Sequence, residues 1–185
     1  MVLLRATRRL LTASASRATG RRGTEALLSE GPLPEVGPLG TWYANVVSLP
    51  FPGRSLVLFT AADTMLSVVA SGRSLRTTLP VFQRRVPLLL VRLGLPGAWV
   101  EARTADLADV HVARAGAQTV DRRVLGTMID ATYQIRAEAE AAGSFDGLDL
   151  DRVEDRLAEV PLGALRSEQS SHGFPADAVA ELARA

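Results

Sequence analysis

The stretch DRRVLGTMIDATY, Asp121 to Tyr133, holds residue types that could do chemistry at a spacing that would bring them together. Arg122, Gly126 and Asp130 recur at intervals of four, so on a helix they share one face, which Tyr133 continues at the next turn. A guanidinium can clamp an anion through paired N–H donors, and a carboxylate can act as acid or base. Arg122 and Asp130 stand two turns apart, about 12 Å along the axis, and cannot simply pair with each other. Gly126 in a helix interior costs about 1 kcal/mol relative to Ala, which predicts that something approaches the backbone closely there. A second constellation, Trp42, Tyr43 and Asn45, combines aromatic surface with an amide that must be satisfied if buried. Two arrangements fit these residues. In one, Gly126 lets the helix pack tightly on a sheet, while Arg122 and Asp130 tie down the Trp42–Asn45 string and nearby loops. In the other they share a pocket: Trp42 or Tyr43 offers a stacking surface, Asn45 hydrogen-bonds a polar ligand, and Arg122 meets an anion.

Other chemistries lack their residues. All 21 basic side chains are arginine, so a phosphate loop that needs a lysine is out. No G-x-G-x-x-G, G-x-S-x-G or H-E-x-x-H string occurs. Cysteine is absent, which removes disulfides, thiolate zinc sites and cysteine nucleophiles. The two histidines, His111 and His172, are too few for a multi-histidine metal site, and no metal or other cofactor is implied. Asp146, Asp149 and Asp151 lack the spacing of a calcium loop and read as helix-capping carboxylates. The arginine excess sits in an Ala-, Gly-, Val- and Leu-rich chain and reads as genome composition more than as a nucleic-acid groove, especially as no aromatic is interleaved with the N-terminal arginines.

The elements that must position these residues run strands first, helices later, which predicts an α+β fold: a mainly antiparallel sheet of four to five strands packed against three to five helices. Val2 to Ala6 reads as a strand leading into a basic helix or turn at Thr7 to Leu11, although the Arg-rich, acid-free segment up to Thr24 also has the composition of a transit peptide. Gly31 to Gly40 is a Pro- and Gly-rich linker. Trp42 to Leu49, Ser55 to Thr60 and Thr64 to Ala70 read as hairpin-connected strands. A helix with Thr78 as its capping hydroxyl follows, with a kink or break expected at Pro87. Next come a short helix at Gly97 to Leu107, a strand at Asp109 to Arg114, and a long helix from Asp121 to Ala142 stopped by Gly143. The last clear helix, Asp151 to Val160, shows capping-box spacing between Asp151 and Glu154. A single domain over 1–160 is expected, with 161–185 as connector and short helix.

Four segments carry a resemblance: LLRATRRLL at Leu3 to Leu11, LGTWYANVV at Leu39 to Val47, VLFTAADTMLSVV at Val57 to Val69, and the Asp121 to Tyr133 stretch. They resemble an uncharacterised bacterial domain-of-unknown-function family, the one numbered 6933, whose forms are a tryptophan-aromatic-Ala-Asn string, a strand ending in Thr-x-Leu, and a helix opening Asn-Arg-Ser-Val-Leu-Gly-Ser-Met-Asn-Asp. The chain keeps Trp42, Tyr43, Ala44, Asn45, Thr64, Arg122, Val124, Leu125, Gly126, Met128 and Asp130. It departs at Asp121, Arg123, Thr127 and Ile129; Thr127 preserves a hydroxyl, and Ile129 loses an amide. The resemblance implies candidate ligand-binding or structural positions at Trp42, Tyr43, Asn45, Thr64, Arg122, Gly126 and Asp130, and brings no activity with it. The expectation for function is a non-catalytic binding or interaction module, cytoplasmic and not membrane-bound, with an unknown protein or a small polar ligand as partner. The alternative is a metal-independent hydrolase or nuclease acting on an anionic substrate through Asn45, Arg122 and Asp130.

Overall fold

The computed structural model describes residues 1–14, 28–29, 35–116, 121–166 and 170–185; Arg17, Arg21 and Arg22 of the basic N-terminal segment, and part of the Gly31–Gly40 linker, lie outside them. The fold is α+β, with a five-stranded sheet and six α-helices among the described residues. In chain order the elements are β1 (Val2–Ala6), α1 (Arg8–Ser14), β2 (Thr41–Ser48), β3 (Ser55–Ala61), β4 (Ser67–Ser71), α2 (Leu75–Arg92), α3 (Gly97–Leu107), β5 (Val110–Arg114), α4 (Arg122–Ala142), α5 (Leu150–Ala158), a 3₁₀ turn (Gly163–Leu165) and α6 (Pro175–Leu182).

The sheet order is β4-β3-β2-β1-β5. Strands β2, β3 and β4 form the expected antiparallel meander, with Ala44 opposite Phe59 and Phe59 opposite Val68. The sheet is nevertheless mixed, because β1 runs parallel to both of its neighbours: Leu4 is in register with Trp42 on one side and with Val112 on the other. A parallel pair cannot be closed by a tight turn and needs a long crossover. The chain supplies one between β1 and β2, and a second between β4 and β5 through α2 and α3.

Helices cover both faces, so the strands are buried on two sides and read as almost continuous apolar runs. The pleat sends alternate residues to opposite layers. Trp42, Ala44, Val57, Phe59 and Val68 pack against Leu10 of α1 and against Phe82, Val86 and Leu90 of α2. Tyr43, Val47, Leu56, Leu58 and Val69 pack against Val124, Met128 and Ile135 of α4 and Val153 and Leu157 of α5. Each large side chain so buried contributes about 1.5–3 kcal/mol. The segment after Pro161 joins both layers, with Leu162 in the second and Val179 in the first.

Several boundaries differ from those the sequence predicts. Helix α2 begins at Leu75, one turn before Thr78, and runs through Pro80 and Pro87 to Arg92; the Thr78 hydroxyl donates to the Ser74 carbonyl and caps nothing. Apolar burial along the whole stripe, Leu75 to Leu90, outweighs the cost of the two prolines. β4 begins at Ser67, since Met65 takes a left-handed φ of 55° and makes 62–66 a turn, in which Thr64 Oγ1 accepts from the Leu66 N–H at 3.3 Å. The α5 cap is Asp149, accepting from the N–H groups of Asp151 and Arg152.

Glu154 does not form a capping box with Asp151. It sits four residues after Leu150 and three before Leu157, within the apolar stripe of α5, and is fully buried. One carboxylate oxygen accepts from the backbone N–H of Val69 on edge strand β4 at 2.9 Å and from Arg85 Nε at 2.6 Å; the other accepts from Arg92 Nη2 at 2.8 Å. Asp151 and Asp155 complete the pairing of Arg85 and Arg92. Burial pushes the Glu154 carboxyl above the usual range, against the pull of Arg85, the Val69 N–H and Arg92. Burial acts the other way on the two guanidiniums, but their carboxylate partners outweigh it and hold both above their ordinary value. Burial prevails at the carboxylate and pairing at the guanidiniums because Glu154 is wholly enclosed while Arg85 and Arg92 keep 17% and 25% of their side-chain surface in solvent.

Candidate functional site

Helix α4 is amphipathic in the ordinary way, with Val124, Thr127, Met128, Ala131, Ile135 and Ala139 buried against the sheet. Its start is set by Asp121, whose side chain accepts from the Arg123 N–H at 2.8 Å, and its end by Gly143, left-handed at φ 70°. Tyr43 reaches across from β2, its hydroxyl accepting from the Asp121 N–H at 3.2 Å, which fixes where α4 begins relative to the sheet.

The exposed side of this helix and the turn at Gly163–Leu165 border a groove of about 540 Å³. Arg122, Gly126, Thr127 and Asp130 line one wall, and Leu162, Gly163, Ala164 and Arg166 the other, with Arg123 at the helix start. Arg123 is committed to Asp121, with Nη2 donating to a carboxylate oxygen at 2.7 Å. That bond is the main reason the Asp121 carboxyl lies below its usual range and the Arg123 guanidinium above its own. Arg122 and Arg166 have no ion-pair partner among the described residues. Their charges face the open groove.

The sequence predicts a close approach at Gly126, by protein backbone or by a ligand. The described residues do not crowd it: a Cβ built on this residue would meet none of their atoms within 4 Å. The packing explanation for this glycine is therefore overturned, and the space over it belongs to the groove. Thr127 is 7% exposed and its hydroxyl has no hydrogen bond among the described residues. Other helical threonines, Thr104 and Thr132, instead donate to the carbonyl four residues back.

The remaining candidates lie elsewhere. Trp42 is buried on the opposite face of the sheet, its ring edge-on to Phe82 at 5.0 Å and its Nε1 donating to the Leu39 carbonyl. Neighbours on a strand point to opposite faces, so Trp42 and Tyr43 belong to different layers. Asn45 shares the face of Tyr43, but its Oδ1 already accepts from the Thr7 hydroxyl at 2.8 Å and the Val46 N–H at 2.9 Å. Thr7 in turn accepts from the Leu10 N–H and so caps α1. Thr64 is buried in its turn. The structure thus brings Arg122, Gly126 and Asp130 together along one groove and leaves Trp42, Tyr43, Asn45 and Thr64 outside its lining. Arg166 is the lining residue that the sequence does not single out; it comes from a turn some forty positions away, and no local pattern links it to α4. No group of His, Cys, Asp and Glu among the described residues could hold a metal ion, and no described helix is long and apolar enough to cross a membrane.

A mixed sheet with helices on both faces and an arginine-bordered groove beside its longest helix defines the class. Within it, the chain matches the family model "Domain of unknown function (DUF6933)" over residues 3–178 and belongs to that family. No curated protein and no solved structure matches it.

Proposed function

We propose that this chain is a non-catalytic binding module that holds an anionic polar ligand in the groove between α4 and the Gly163–Leu165 turn. The supporting observation is a pair of guanidiniums, Arg122 and Arg166, brought by two different segments to the lining of one open groove and without an ion-pair partner among the described residues. Arg123, at the start of the same helix, is already held by Asp121 and is not available in the same way. Two left facing one concavity can enclose an anion from both sides with charge-assisted hydrogen bonds. The pull does not depend on the helix N-terminus, because Asp121 already occupies it.

The hydrolase reading keeps one supporting feature, the shared lining by Arg122 and Asp130, and loses another, because Asn45 spends its carbonyl on Thr7 and Val46. Thermal-shift and calorimetric titrations with inorganic phosphate, sulfate and pyrophosphate test the binding reading. A saturable stabilisation is expected, absent from the Arg122→Ala/Arg166→Ala double variant, which should fold normally since both side chains are exposed. Anions that stabilise wild type and the double variant equally would rule the groove out. Turnover of a phosphoester that stops in Asp130→Asn would replace the binding module with an enzyme.

A further inference from the structure

Resting on that anion-binding reading, we infer that the ligand is two-ended: a phosphate ester of a sugar or similar polyol, its phosphate between Arg122 and Arg166 and its hydroxyls against Thr127 and Asp130. The groove is not uniformly cationic. Its first turn carries Arg122 and Arg123, while Asp130, two turns along, supplies the one carboxylate that lines it among the described residues. A bare phosphate at the arginine end gains nothing from Asp130, whose charge repels it. An ester whose far end presents O–H donors does gain, because a carboxylate's two oxygens can accept hydrogen bonds from two hydroxyls at once.

Thr127 points to the same end independently. Its hydroxyl is in a side chain more than nine-tenths buried, lines the groove, and lacks the carbonyl bond that Thr104 and Thr132 make. Thr127 and Asp130 are three residues apart and therefore adjacent on the helix surface. That hydroxyl opens to the groove without a partner among the described residues, so it is free to bond a ligand's own hydroxyl. Between the two ends lies Gly126, where the absence of a side chain leaves room for the ligand's carbon skeleton to rest on the helix. No aromatic among the described residues lines the groove, which favours a polyol over a nucleotide, since a base would lack a stacking partner. An excess of guanidiniums over carboxylates argues against an amine at the far end. The volume, about 540 Å³, lies within the range of small-molecule sites.

Calorimetry on the full chain with inorganic phosphate, ribose 5-phosphate, glucose 6-phosphate and unphosphorylated ribose tests this. At least one sugar phosphate should bind about tenfold tighter or more than inorganic phosphate, a gap worth about 1.4 kcal/mol, and ribose alone should not bind. In Asp130→Asn and in Thr127→Val that advantage should shrink to about threefold or less, with inorganic phosphate held as well as before or better. Equal affinity for phosphate and both sugar phosphates, or an advantage that survives both substitutions, overturns the two-ended ligand and leaves the anion site standing. Silence from every phosphate compound overturns the anion site itself.

Discussion

Two arginine clusters flank the second core of this protein, and they are built to opposite ends. Arg85 and Arg92 converge on Glu154, with Asp151 and Asp155 around them, so two guanidiniums meet three carboxylates. Arg122 and Arg166 line one open groove from two different segments, with no described ion-pair partner. The residue type is the same. What separates them is completion: the first cluster has an internal acceptor for its donors, whereas the second waits for one. A paired cluster anchors α2 to α5 and β4, while an unpaired one is available for recognition.

That contrast can be broken from either side. Replacing Glu154 by Ala leaves two partly buried guanidiniums short of an acceptor and the Val69 N–H without one, and should cost about 3–5 kcal/mol of unfolding free energy. Chemical denaturation checks the size, and a loss under about 1 kcal/mol would mean that water replaces the carboxylate freely. Gly126→Ala should move the other way. Its Cβ meets no neighbour, so the helix gains up to about 1 kcal/mol while affinity for anions in the groove falls. A variant that gains stability with binding intact would show that the glycine is not part of the recognition surface.

The pH dependence should split the clusters by sign. Glu154 is held above its ordinary pKa of 4.5, so its contribution is complete below that value and is lost as pH rises through the raised folded pKa. Asp121 is held below its ordinary 3.8, so its contribution is present above 3.8 and is lost as pH falls through the lowered one. Unfolding free energies measured across the acid range should therefore lose their decline toward neutral pH in Glu154→Gln and part of their rise from low pH in Asp121→Asn. The second effect is the smallest of the set, since Asn also caps helices well.

Local signals are legible in the sequence, and pairings between distant segments are not. The bounds of α4 follow from Asp121 and Gly143, one a cap and the other a left-handed stop, and both act within a turn of themselves. Intervals of four place Arg122, Gly126 and Asp130 on one face, and that face borders a groove. Alternation along β2 likewise carries enough information to assign Trp42 and Tyr43 to different layers, and so to keep them out of one pocket. By contrast, the insertion of β1 between β2 and β5 depends on two long crossovers, which leave no local trace. Glu154 offers a faint one, as a charged residue at a stripe position, but the reason it is tolerated lies on α2, more than sixty residues earlier. Arg166 and the open space over Gly126 depend on the path of the chain after Pro161, far from either residue's neighbours.

The Glu154 carboxylate has a consequence beyond the energy of its ion pairs. Strand β4 ends the sheet, and an outer row of free N–H and C=O groups is a template on which a second chain can add a strand. By taking the Val69 N–H at the middle of that strand, a side chain from α5 occupies a position an incoming strand would need, and the helix that carries it stands in the way. The same hydrogen bond that anchors a charge inside the fold thus also occupies one strand-pairing position on the edge of the sheet.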